Sequence, residues 1–162
     1  FECRDPADLG PVQQELGWFD VLSAVRRIGV PASEVQVPRY TLVNLETTFY
    51  TEPLTLDRTL QIIGYTVDVR LEPVSYVWHW GDGSTTETSV PGRPYPSTDV
   101  THTYLRSTAP GDSLSLSVDV LYRASYRVDG GSWQEIPDTL TISGTASAMP
   151  VKQASAVLVT RE

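Results

Sequence analysis

Along this chain the spacing of apolar residues passes from a helical period to a period of two and then stays there. Val21, Val25 and Ile28 stand at i, i+4 and i+7, with Leu22 and Ala24 beside them, which is the apolar stripe of a helix. The spacing predicts a short helix over 20–28, with an extension back toward Val12 that Gly17 weakens. Asp20 is the expected cap, and Gly29 with Pro31 the expected stop. Arg26 and Arg27 close the helix as a solvated last turn, where positive charge suits the helix dipole.

From Arg39 the period is two. Val43, Leu45, Thr47 and Phe49 share one face of a predicted strand that Glu52-Pro53 ends. Leu60 and Ile62 take even positions, whereas Tyr65, Val67, Val69 and Leu71 take odd ones. A strand cannot change faces without an extra residue, so Ile63-Gly64 predicts a bulge or a tight reversal. Glu72-Pro73 is expected to break the next strand before Tyr76, Trp78 and Trp80 resume the alternation. Leu114, Leu116, Val118, Val120, Tyr122, Ala124, Tyr126 and Val128 occupy every even position of a long strand. Its wet face reads Ser115, Ser117, Asp119, Leu121, Arg123, Ser125 and Arg127, and Leu121 is the apolar exception. Asp129-Gly130-Gly131 is a hairpin turn, and Ser132–Ile136 returns along the strand. Further strands are expected near 139–148 and 154–160, parted by Met149-Pro150. Residues 84–99 are rich in Thr, Ser and Pro and read as a long exposed connection. The expected fold is mainly β, an antiparallel β-sandwich with a short helical appendage: residues 1–38 form the appendage and 39–162 the sandwich.

Composition changes this picture mainly by exclusion. A net charge of −8 over 162 residues opposes nucleic-acid binding, which needs clustered Lys and Arg. No apolar run approaches the roughly 18 residues that suggest a membrane-spanning helix. The start at Phe1-Glu2-Cys3 shows neither an initiator Met nor a signal-peptide pattern, so a mature or trimmed form is expected. The single cysteine, Cys3, has no internal partner and is expected as a free thiol or as a link to another chain.

The most distinctive stretch is Tyr76-Val77-Trp78-His79-Trp80-Gly81-Asp82-Gly83-Ser84, followed by His102-Thr103-Tyr104 and by Gly111 ahead of the alternating strand. Gly81-Asp82-Gly83 predicts a tight reversal, since glycine accepts φ > 0 and Asp can bond the turn backbone. This order resembles the PKD domain, the Ig-like repeat first named in polycystin, over roughly Tyr40 to Val159. Trp80 stands where Phe is commoner, and the connection between the two motifs is longer than usual. The whole chain is similar to PKD-containing proteins of actinobacteria. The resemblance implies an Ig-like sandwich in which Trp78, Trp80, Gly81, Asp82, Gly83, His102 and Tyr104 form a structural motif. It also implies a secreted or cell-surface bacterial setting.

Chemistry has few other footholds. Asp82 in a Gly-x-Gly turn has the form of a Ca²⁺ ligand or a base, but the clustered Asp/Asn ligands of a calcium loop are missing. His79 is expected to face away from the tryptophans and His102 to order a turn. With one Cys they lack the ligands of a closed zinc site. There is no Gly-x-Ser-x-Gly elbow, phosphate loop, dinucleotide fingerprint or metalloprotease helix. The carboxylate pairs Asp57/Glu72 and Asp119/Asp129 have no spacing that brings them together. No catalytic residue, metal or cofactor is therefore expected. Candidate contact residues are Tyr95 and Arg93 in the Pro91–Pro96 loop, and Trp133 just past the hairpin turn. The expected function is a non-catalytic module that contacts a protein or a cell-envelope glycan, or spaces a partner from the cell. The alternative is an accessory domain of a secreted hydrolase whose catalytic part lies elsewhere.

Overall fold

The computed structural model describes residues 15–154, so Cys3, the stretch near Val12 and nearly all of the strand expected over 154–160 lie outside the described residues. Among the described residues the protein is mainly β, with several antiparallel sheets and one short helix, an arrangement compatible with an Ig-like sandwich.

Its centre is a pair of fifteen-residue strands, β6 (Tyr65–His79) and β9 (Leu114–Val128), joined in antiparallel register from Val67↔Val128 to His79↔Ser117. The even residues of β9 from Leu116 to Tyr126 are all buried, as the alternation predicts. On β6 the inward residues are Val67, Val69 and Leu71, then Tyr76 and Trp78. This change from odd to even has a structural cause. Pro73 lies opposite Tyr122 and Ser75 opposite Leu121, so the register shifts between them. The expected break at Glu72-Pro73 is thus corrected to a bulge within one continuous strand. Proline, having no N–H to donate, is tolerated at such a site.

On one side of β6 lie β5 (Leu56–Ile62) and β7 (Thr85–Thr88), at successive stretches of the strand. The phase change at Ile63-Gly64 is a reversal between β5 and β6, with φ of 51° and 80° at the two turn residues. On the far side of β9 lie β10 (Gln134–Ile142) and β11 (Ser147–Met149). The strand expected over 139–148 is instead the end of β10 and the start of β11, because the chain leaves the ladder at Gly144. There Gly144 presses against the Val118 backbone, with no room for a side chain.

The inner face of this six-stranded sheet is covered by a divided second layer. One part is α1 (Trp18–Ile28), whose Val21, Leu22 and Val25 are buried. Val25 and Ile28 border Leu56, Val69 and Leu71, so the helix docks on the core face and not on the face bearing Leu121. Two details of its sequence reading are corrected. Asp20 is not the cap but the third helical residue, where its carboxylate accepts the Gly17 N–H at 2.9 Å. Ile28 is 53% exposed, because the inward stripe runs through Leu22 instead.

The other part is three short ladders. β1 (Val35–Gln36) pairs with β4 (Tyr50–Thr51), and β3 (Glu46–Thr48) with β8 (Thr101–Thr103). β2 (Thr41–Leu42) runs parallel to β12 (Val151–Lys152), an exception to the expected antiparallel order. The single strand expected from Val43 to Phe49 is interrupted at Asn44, with φ 63°, a backbone state that Asn tolerates better than most residues. Thr47, Phe49 and Thr51 still point inward, but Leu45 swings out to 49% exposure.

Candidate functional site

The motif residues converge where β6 ends. Trp78 and Trp80 are fully buried and stack at 5.6 Å between ring centroids. A buried indole N–H left unpaired is costly, and each finds a threonine. Trp78 Nε1 donates to Thr88 Oγ1 at 2.8 Å and Trp80 Nε1 to Thr86 Oγ1 at 2.9 Å. Both threonines lie on β7, inside the stretch expected to be a long exposed connection, which is corrected here to a paired strand followed by a loop. The signal was available: a Gly-Asp-Gly turn followed by Thr-Thr-Glu-Thr has the β-propensity of a returning hairpin strand.

Gly81 carries the reversal at φ 85°, and a Cβ there would lie 2.7 Å from the Ser115 carbonyl oxygen. Asp82 then accepts three hydrogen bonds: from Ser84 N at 2.9 Å, from Ser84 Oγ, and from His102 Nε2 at 2.8 Å. Burial pushes the Asp82 carboxyl up, but these hydrogen bonds and the charge of His102 outweigh it and hold the group below its ordinary value. His102 lies flat on Trp80, 4.6 Å between ring centroids and 5° between planes, with Tyr104 edge-on to it. Tyr104 Oη donates to the Trp80 carbonyl at 2.8 Å. Burial, with the nearby Asp82 charge, raises its phenol far above the ordinary range.

A depression of about 410 Å³ opens beside Asp82, bordered by Tyr104, Leu105, Arg106 and Leu114. Asp82, the one acid on its rim, has its oxygens engaged by Ser84 and His102, so its arrangement serves the turn. Among the described residues, no three His, Cys, Asp or Glu side chains converge as metal ligands.

His79 is on the opposite face, half-exposed, with Nε2 2.8 Å from Asp119. Asp119 also accepts the Gly144 N–H at 3.1 Å. Neither carboxylate pair considered in the sequence meets. Asp57 bonds Arg70, and Asp129 accepts the Thr66 N–H at 3.0 Å from the far end of β9.

Tyr95 is 86% exposed at the tip of the Pro-rich loop. The loop beneath it is fastened on both sides. Thr51 N donates to the Pro91 carbonyl at 2.9 Å, and Thr48 Oγ1 to the Ser97 carbonyl at 2.7 Å. Arg93 grips Asp99 through Nε at 2.8 Å and through Nη2 at 3.2 Å. Gly92 sits so near Phe49 that any Cβ would strike its carbonyl oxygen.

Trp133 lies at the other end of the molecule, 38% exposed, with the guanidinium carbons of Arg70 and Arg127 at 4.6 and 4.9 Å from its ring centroid. Neither arginine is among the contact residues that the sequence suggests. Arg127 was assigned to a wet face without a partner, and only the β6–β9 register brings Arg70 beside it.

A scan against protein-family models finds no match to this chain, and searches of curated proteins and of solved structures find none either.

Proposed function

We propose that the chain is a non-catalytic module of the PKD type, exposed at a cell surface or outside the cell, that contacts a protein or an envelope glycan through its Pro-rich loop. The reading rests on one observation: Tyr95 is held almost fully exposed on a loop whose two sides are hydrogen-bonded to the sandwich. An aromatic side chain presented on an already ordered backbone loses little further entropy on binding, which is what a contact residue requires. The order of aromatic, Gly-Asp-Gly and His-x-Tyr, resembling PKD repeats, supports the choice of module. The engagement of Asp82 and His102 within the fold supports a non-catalytic role. The test is co-sedimentation of the full chain with purified actinobacterial cell envelope. The chain is expected to sediment with it, and Tyr95→Ala to reduce the bound fraction at least tenfold with an unchanged melting temperature. Equal binding by the variant overturns the role of the loop.

A further inference from the structure

Three strands lay a ladder of charge along the outer face of the sheet. Asp57 on β5 faces Arg70 on β6, Thr59 faces Asp68, and Asp68 faces Arg127 on β9. Arg70 Nε donates to Asp57 at 3.0 Å and Arg127 Nε to Asp68 at 2.7 Å, while Thr59 Oγ1 donates to the other Asp68 oxygen at 2.7 Å. These hydrogen bonds, Thr59 first and Arg127 next, hold the Asp68 carboxyl below its ordinary value, so it stays ionised. Arg58, Thr59 and Trp133 join these residues around a depression of about 290 Å³.

The donors of this depression are unevenly used. Among the described residues, Arg70 and Arg127 are each held only through Nε, so their terminal Nη groups make no hydrogen bond to protein. Both guanidiniums are kept in place by an aspartate on one side and by the Trp133 ring on the other, an arrangement that fixes them before any ligand arrives. On the outer face Arg70 and Arg127 balance Asp57 and Asp68, Arg58 being directed to the other face opposite Val69, so a ligand's charge is met by the free Nη donors alone, which suits the single charge of a carboxylate. A phosphate dianion would meet the two aspartates as like charges, and nothing in the cluster offsets its second charge. Both Asp68 oxygens are engaged, but the Asp57 oxygen not bonded to Arg70 suits a hydroxyl donor, and the exposed part of the indole suits the C–H surface of a pyranose ring.

We infer that the Trp133–Arg70–Arg127 cluster is a binding site for a carboxylated saccharide of the hexuronic type. The carboxylate is taken by the Arg70 and Arg127 Nη groups, a ring hydroxyl by Asp57, and the sugar face by Trp133. The choice of a saccharide rests on the reading of the chain as an envelope-contacting module, but the site is separate from the Tyr95 loop. The experiment is titration of the full chain with an oligogalacturonide, with the neutral oligogalactan of equal length, and with inorganic phosphate, followed by calorimetry. The uronide is expected to bind saturably, the neutral sugar at least tenfold more weakly, and phosphate not to compete. Trp133→Ala and Arg70→Gln are each expected to weaken uronide binding at least tenfold. Arg123→Gln, which removes one positive charge elsewhere on β9, should leave it within twofold. Melting curves of each variant separate loss of the site from loss of the fold. Equal affinity for the neutral sugar, competition by phosphate, or unaltered binding by both site variants overturns the inference. Tyr95→Ala reports only on the loop, so either reading fails without taking the other with it.

Discussion

Two histidines meet two aspartates in this protein at the same distance, 2.8 Å, and the two pairs live in different surroundings. His102 is 16% exposed at its side chain, sandwiched against Trp80 and Tyr104, and its Asp82 is the hub of a glycine turn. His79 is 43% exposed on the open face of the sheet, and its Asp119 accepts the Gly144 N–H just past the end of β10. The length of the contact is therefore a poor guide to its weight. What differs is how many other groups lose a partner, or a packing surface, when the pair is broken.

Four experiments can break this contrast or sharpen it. The largest effect is expected from Trp80→Ala, which removes the surface that His102 and Phe49 pack against. Burial of this kind makes truncation cost about 3–5 kcal/mol, to be read from urea unfolding; a loss under about 1 kcal/mol would show that the stack is ornamental to the pair. Next comes Asp82→Ala, which strands the Ser84 and His102 donors and should cost about 1–3 kcal/mol. Its melting temperature and that of the wild type should be insensitive to added Ca²⁺. A calcium-dependent rise removed by this substitution would make Asp82 a ligand instead of a turn residue.

The third effect is on acid stability. Asp82 is held below its ordinary value of 3.8, so its contribution is complete above that pH. It is lost as the pH falls through the lower folded value. Asp82→Asn should accordingly flatten the acid limb of the stability curve below about pH 4, measured by chemical denaturation at stepped pH. An unchanged limb would assign the acid response to other carboxylates. The smallest effect is expected from His79→Ala, a partly exposed pair worth roughly 0–1 kcal/mol and weakened further by salt. A cost equal to that of Asp82→Ala would erase the contrast.

Much of the framework is legible from the sequence because it depends on period alone. The parity of β9 and the shared face of Tyr76, Trp78 and Trp80 follow from alternation that no tertiary contact had to correct. The reversal at Ile63-Gly64 is legible for the same reason. Elements set by long-range partners are not. Proline at 73 reads as a terminator in one dimension, but the neighbouring β9 keeps the strand going through a bulge. The threonines of β7 look like loop residues until the indoles they serve are beside them. Ile28 fits the helical stripe by spacing, yet the buried stripe runs through Leu22 and leaves Ile28 at the exposed edge. Of the candidate contact residues, Tyr95 stands out by its proline flanks alone. The surroundings of Trp133 come from three strands whose register no local pattern specifies.

The parallel pair β2–β12 has a mechanical consequence. Thr41 N reaches the Pro150 carbonyl at 3.1 Å and Val43 N the Lys152 carbonyl at 3.0 Å. A second parallel link joins Glu34 to Thr145. The chain enters β2 at one end of the ladder and leaves β12 at the opposite end. A force that draws the segment before β1 away from the segment after β12 therefore pulls along these strands. Their hydrogen bonds share the load side by side and do not open one after another like a zip. In this geometry the fold bears tension through a ladder of two residue pairs, and the long β6–β9 pair stays out of the line of force.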